Sequence, residues 1–510
     1  MLVYEGIKSG FINDVDLNLI IDKILNRFKE VFHRSTGESE INSWRESMLR
    51  MRGVLADNEI PDNAGVAIEF NIPHTSNRID FILSGYDKNK KNSIIIIELK
   101  QWTHADAVSG KDGVVSTVTG KALREVTHPS YQAWSYASLI DSYNQEVYDR
   151  NVGLHPCAFL HNYDLTDSDP INSEQYKDYI NAAPMFGSKD FEKLRNFIKK
   201  SVTEGDDKEG LYIIENGKIK PSKMLQDSFS SVLKGNKEFV LIDDQKVIFE
   251  EALRIGVNAH LHNEKSVLIV EGGPGTGKSV LAINLLKQFL NRSFNSFYVT
   301  KNSAPREVFK AKLKIDKMSG LNNLFKGSGS FYDCESNSFD VLIVDEAHRL
   351  NKKSGLFSNL GENQIKEIIN SSMFSIFFID ENQRVTLKDN GSIDEIKKYA
   401  RYYNAGVHKM KLKSQFRCDG SDGYLAWLDN VLEIRETANF DLDNKYDFKV
   451  FDDPNNLRQA IVEKNKINNK SRLVAGYCWD WISEGKNKTD IYDITIPEYN
   501  FGMSWNLGNS

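Results

Sequence analysis

The segment VLIVEGGPGTGKSVLAINLL, residues 267–286, constrains this chain more than any other. An apolar strand run ends in a glycine-rich loop that opens directly into a helical pattern. That order is what a phosphate cradle requires. Gly272, Gly275 and Gly277 keep side chains out of the way, so backbone N–H groups reach the oxygens of a pyrophosphate. Lys278 brings a point charge to the outer phosphates, and Ser279 offers a hydroxyl to Mg²⁺. The N-terminus of the following helix adds its partial positive charge.

The pattern continues as strand, helix, strand, helix from 236 to about 405, through VLIVEG, SFYVTKN, DVLIVDEA and FSIFFIDE. Short, continuously apolar runs between helices predict a parallel sheet covered on both faces. DVLIVDEAHRL ends a strand in two acids. There Asp345 is placed to hold Mg²⁺ through water, and Glu346 to orient and deprotonate an attacking water. FSIFFIDENQR puts Asp380 and Gln383 where a polar side chain senses a γ-phosphate. KLKSQFRCDG carries Gln415 and Arg417, the arginine suited to reach across a cleft to transition-state charge. Upstream, the amide of Gln245 in FVLIDDQKVIFEEAL can donate to and accept from an adenine edge.

The ordered series Gln245, GGPGTGKS, VTKN, VDEAHR, DENQR and QFR resembles the motifs of superfamily 1 helicases. It is most similar to the Schlafen-group-3-like DNA/RNA helicase domain of bacterial proteins, over roughly residues 236–510. The resemblance implies ATP as cofactor and nucleic acid as partner, with Thr300 and Asn302 in a motif that contacts the strand. Such helicases carry a Gln-Gly motif and an arginine motif in a second RecA-like domain, and neither occurs before Ser510. Residues 406–510 are therefore expected to form only a partial second RecA-like domain. Efficient translocation would then need an oligomer or a partner protein that supplies the missing motor elements.

A second chemistry lies in NRIDFILSGYDKNKKNSIIIIELKQW, residues 77–102. Two strands, about 78–84 and 94–100, flank a glycine- and lysine-rich turn. A regular hairpin with Ser84 opposite Ile94 sets Asp80 opposite Glu98. Facing residues have Cβ atoms about 4.5–5.5 Å apart, so two carboxylates there repel unless something compensates. A divalent cation does so, and oxygen ligands suit Mg²⁺ or Mn²⁺. Lys100, two residues past Glu98, shares its face and can orient the water or stabilise a pentacovalent phosphate. Glu69 is a further candidate ligand. The loop at 73–77 leaves open by one residue whether it shares a face with Asp80. In HPSYQAWSYASLI, Gln132 and Tyr136 stand one helical turn apart.

Asp, then Glu-x-Lys on the next strand, then Q-x-x-x-Y, resembles the PD-(D/E)XK motif of RecB-like nucleases. The resemblance implies a restriction-endonuclease-like α/β/α domain over residues 1–195, in which Gln132 supports the metal site and substrate strand. Residues 196–235 are charged, with turn signals and one short strand, and read as a connector. The whole reads as a metal-dependent DNA nuclease coupled to an ATP-binding helicase-like motor, in DNA processing or defence against foreign nucleic acid. Two rivals stand beside it: an ATP-regulated RNase, and a non-catalytic, ATP-switched nucleic-acid-binding protein.

The net charge of −6 provides no global basic field, so any nucleic-acid grip must be local. FKAKLKIDK, 309–317, offers four lysines, as a phosphate-tracking stretch or as a solvated helix face. Cysteines 157, 334, 418 and 478 form no paired metal or redox spacing and read as buried thiols in a reducing cytosol. With no signal-peptide pattern and no run long enough to cross a bilayer, a cytoplasmic protein without membrane contact is expected.

Overall fold

A computed structural model describes residues 2–32, 36–72, 78–119, 122–217, 240–302, 324–354, 359–384, 386, 389–413, 422–434, 447–474, 479–480, 482 and 491–504. The chain divides into two compact units, Met1–Thr437 and Ala438–Ser510.

The first unit opens with a six-stranded sheet. Its strands are β1 (Tyr4–Ile7), β2 (Gly65–Asn71), β3 (Arg78–Tyr86), β4 (Asn92–Lys100), β8 (Gly153–Leu160) and β9 (Met185–Gly187), in that spatial order. Strands β1 to β4 pair antiparallel, whereas β4, β8 and β9 run parallel. The run NSIIIIELK makes β4 a central strand because both of its faces are covered. Ile95 and Ile97 enter a core with α1 (Lys8–Asp16), α2 (Ile20–Phe32), α3 (Glu38–Leu55) and α5 (Phe191–Ser201). Ile94 and Ile96 enter the opposite core with α4 (Pro129–Tyr143) and α6 (Glu209–Asn216). Helices thus cover both faces. The packing continues through α6 because Leu211, Ile213 and Ile214 are buried, although the charged residues around them read as a connector. A small antiparallel sheet of β5 (Ala105–Ala107), β6 (Val114–Thr119) and β7 (Ala122–Thr127) stands beside this core.

The second sheet of this unit is wholly parallel, in the order β12 (Phe325–Gly327), β11 (Ser296–Thr300), β13 (Phe339–Val344), β14 (Ser372–Ile379), β10 (Ser266–Gly272), β15 (Gly406–Leu412). Helices α7 (Asp244–His262) and α8 (Lys278–Asn291) pack on one face. Helices α9 (Gln364–Ser371) and α10 (Ile393–Tyr402) pack on the other. Strand β14 separates the phosphate-loop strand β10 from the acid-ending strand β13. Residues 406–412, read from sequence as the start of a further domain, complete this sheet by pairing with β10.

The small β5–β7 sheet meets the layers of the second six-stranded sheet through α7. Lys246 on α7 pairs with Asp112 (3.0 Å), Lys111 with Glu251 (2.7 Å), and the Asp112 N–H donates to Glu250 (3.2 Å). In the second unit, helix α11 (Pro454–Asn468) is capped by Asp453, and β16 (Ile494–Ile496) pairs antiparallel with β17 (Phe501–Met503). Among the described residues, no helix is long and apolar enough to cross a membrane.

Candidate functional site

The phosphate loop joins β10 to α8. Gly275 and Gly277 lie at φ 78° and 83°, a left-handed conformation that side chains disfavour. At Gly272 a Cβ would sit 2.7 Å from Thr276 Oγ1. Lys278 folds back so that its Nζ donates to the carbonyls of Gly272 and Gly273, each at 2.8 Å.

Across the sheet, Ser279 Oγ donates to Asp345 Oδ2 at 2.6 Å, and Tyr298 OH donates to the same oxygen at 2.5 Å. Burial pushes the Asp345 carboxyl above its ordinary range, against the hydrogen bonds from Ser279 and Tyr298. Glu346 sits at φ 56°, which turns it toward His348 Nε2 at 3.0 Å. That contact holds the Glu346 carboxyl below its usual value, burial opposing. His348 Nδ1 accepts from the Asp380 N–H at 3.3 Å, so Nε2 is the donor to Glu346, and the ends of β13 and β14 are linked.

Gln383 closes the turn Glu381–Gln383 after β14, and its N–H donates to the Asp380 carbonyl at 3.1 Å. The Gln245 amide, read from sequence toward adenine, donates to the Thr276 carbonyl inside the phosphate loop at 3.1 Å. Thr300 is buried and Asn302 half-buried. Lys301 between them bridges Asn351 (3.0 Å) and Asp389 (2.9 Å). Gln415, Arg417 and the lysine run 309–317 lie outside the described residues.

In the first sheet, the β3–β4 register runs from Tyr86↔Asn92 to Phe81↔Ile97, with Ser84 opposite Ile94. One step on, Asp80 Oδ2 accepts from the Leu99 N–H at 2.7 Å. Glu98 is buried, and its Oε1 accepts from Lys100 Nζ at 2.7 Å. Its Oε2 is buried with no hydrogen-bond partner. Burial, and then Asp80, push the Glu98 carboxyl well above its ordinary value. Burial works against the Lys100 charge, but Glu98 and Asp80 outweigh it and hold the ammonium above its usual range.

The register also places Glu69. Ile68 pairs with Phe81 and Phe70 with Ile79, so Glu69, at φ 55°, faces Asp80. Its oxygens are engaged by Trp44 Nε1 (2.6 Å) and Arg78 (2.8 Å). Gln132 on α4 lines the same cleft of about 340 Å³ as Glu69, Asp80 and Glu98, and donates to Tyr136 OH at 2.9 Å. Tyr136 OH in turn donates to Asp243 Oδ2 at 2.9 Å. Asp243 was not visible as a site residue in the sequence. The only signal was its place in the LIDDQ segment before Gln245.

The cleft fits a hard divalent ion modestly. Among the described residues, no three His, Cys, Asp or Glu side chains are grouped to hold a metal. The carboxylates of Asp80 and Glu98, the latter with one oxygen buried and unsatisfied, nevertheless suit Mg²⁺, which commonly keeps several waters and takes only one or two protein carboxylates beside substrate phosphate.

A parallel sheet with a phosphate loop, a strand inserted between that loop's strand and the acid-bearing strand, and Ser279 paired with Asp345 together define a RecA-like nucleotide-binding domain. Residues 265–510 match the family described as "Schlafen group 3, DNA/RNA helicase domain". The chain is also similar to "Uncharacterized protein YPL245W" of Saccharomyces cerevisiae, at 26% identity over 276 residues, covering 47% of this chain and 59% of that protein. It thus spans about three-fifths of that relative's length. The family match supports a nucleic-acid-related ATPase role for this half of the chain.

Proposed function

We propose that the chain is a divalent-metal-dependent nuclease acting on DNA, controlled by ATP in the RecA-like domain, in DNA processing or defence against foreign nucleic acid. The observation that carries the reading is the convergence of Asp80, Glu98 and Lys100 at the ends of two paired central strands, with one Glu98 oxygen buried and unsatisfied. Asp80 and Glu98 would hold Mg²⁺ or Mn²⁺, which when bound polarises the phosphate and makes water a better nucleophile. Lys100, kept charged by both acids, stabilises the negative charge that builds as water adds to phosphorus and the P–O bond to the departing strand breaks. Gln132 faces the strand from the cleft wall, and Tyr136 fixes its orientation. In the second site, Ser279 and Asp345 would hold the Mg²⁺ of ATP, and Glu346 would align the water.

Matched single-stranded DNA and RNA, incubated with Mg²⁺ or Mn²⁺, test this directly. Wild type cuts the DNA, and Asp80→Ala combined with Lys100→Ala slows the cut by about 10²-fold or more. Undiminished cutting by that double variant refutes the site, and cleavage of RNA alone assigns the chain to the ribonucleases.

A further inference from the structure

Asp243 opens α7 at φ 41° and ψ −115°, a strained conformation for a non-glycine residue. Aspartate at a helix start ordinarily caps it. Here the side chain makes no capping bond. Its Oδ2 instead accepts from Tyr136 OH at 2.9 Å, and Oδ1 is buried without a hydrogen-bond partner. Through Tyr136 it reaches Gln132, which lines the cleft with Asp80 and Glu98.

The next two residues point the other way. Asp244 accepts from the backbone N–H of Lys413, just past β15. Gln245 holds the Thr276 carbonyl of the phosphate loop at 3.1 Å. The turn is closed by the Gln245 N–H donating to the Ile242 carbonyl at 2.9 Å, so the three residues have little slack between them. One strained turn therefore touches Tyr136, the end of β15 and the phosphate loop, and reaches the cleft through Tyr136 and Gln132.

We propose that Asp243 is a positioning residue for the cleavage centre and the link by which a bound nucleotide controls it. Resting on the cleavage reading above, the link runs from Thr276 through Gln245 and the 242–245 turn to Asp243, Tyr136 and Gln132. Such a network carries coupling where it has two discrete arrangements, and a nucleotide that shifts Thr276 would supply the second. Asp243→Asn keeps the size but weakens acceptance from Tyr136. Tyr136→Phe cuts the same link from the other side and serves if the first variant does not fold.

The test is hydrogen exchange of the α4 amides, residues 129–143, with and without a non-hydrolysable ATP analogue, beside the cleavage rate in both states. In wild type the analogue changes α4 exchange by about fivefold or more, the low end of ordinary allosteric coupling. In Asp243→Asn, or in Tyr136→Phe, the phosphate-loop amides are still protected by the analogue, yet the response of α4 is lost. The response of cleavage, where there is cleavage, is lost with it. An α4 response that survives both substitutions, or none in wild type, overturns the proposal while leaving any observed cleavage intact. A coupled α4 response in a protein that cuts nothing leaves the link standing and removes the nuclease reading.

Discussion

At the scale of single residues, burial makes two acids of the first cleft, Glu69 and Glu98, reluctant to ionise. Glu69 is pushed up to about 7, chiefly by burial and partly by Asp80, with Arg78 and Trp44 opposing. A carboxyl whose folded value exceeds its unfolded one binds more protons when folded. Its contribution is therefore fully present below the unfolded value and is lost as pH rises through the folded one. The unfolding free energy from urea titration in EDTA should fall for wild type as pH rises from about 5 to 8, by up to roughly 3 kcal/mol from this group. Glu69→Gln should flatten that slope, and an unchanged slope would show that the Glu69 carboxyl is ionised throughout. Much of this cleft was legible. The spacing around one turn set Ser84 against Ile94, and that register is observed. Whether Glu69 faced Asp80 was open because the loop at 73–77 hid one residue of register, and only the β2–β3 pairing closes it. Asp243 was illegible because its partner Tyr136 is 107 residues away, a contact made by tertiary closure alone.

At the scale of elements, α7 joins the small β5–β7 sheet to the parallel sheet on which it packs, and its fit there is tight. Gly256 lies where a Cβ would stand 2.6 Å from the Phe289 ring on α8 and 3.0 Å from Phe374 on β14. Alanine there gains about 1 kcal/mol of helix propensity. It also overpacks a closed core, which typically costs about 1–3 kcal/mol. Gly256→Ala should therefore lower the thermal midpoint, and a rise would show that α7 can move off Phe289 at little cost. Strand and helix types in the RecA-like half were readable because each strand is a short apolar run between helices. The role of α6 was not. Its buried Leu211, Ile213 and Ile214 sit among charges and turn residues that a composition scan weighs more heavily.

At the scale of the molecule, a chain of net charge −6 has no global field to draw in a polyanion, so the work falls to local groups. Lys100 is placed at the cleft and Lys278 at the phosphate loop. The pairs Lys111–Glu251 and Lys246–Asp112 instead join the small sheet to α7, which keeps the cleft and the phosphate loop on one framework. The sequence motifs pointed to both candidate sites but could not show this join, because Lys246 and Asp112 stand 134 residues apart and meet by tertiary closure alone. The central claim is that Glu98 works as an ionised carboxylate at a cation-dependent cleavage centre. Glu98→Gln tests it most directly, since the substitution keeps the shape of a side chain that burial already favours in its neutral form. The rate of Mn²⁺-dependent cutting of one end-labelled DNA strand should fall by about 10²-fold or more in this variant, with the thermal midpoint unchanged or raised. Cutting within twofold of wild type would contradict the account.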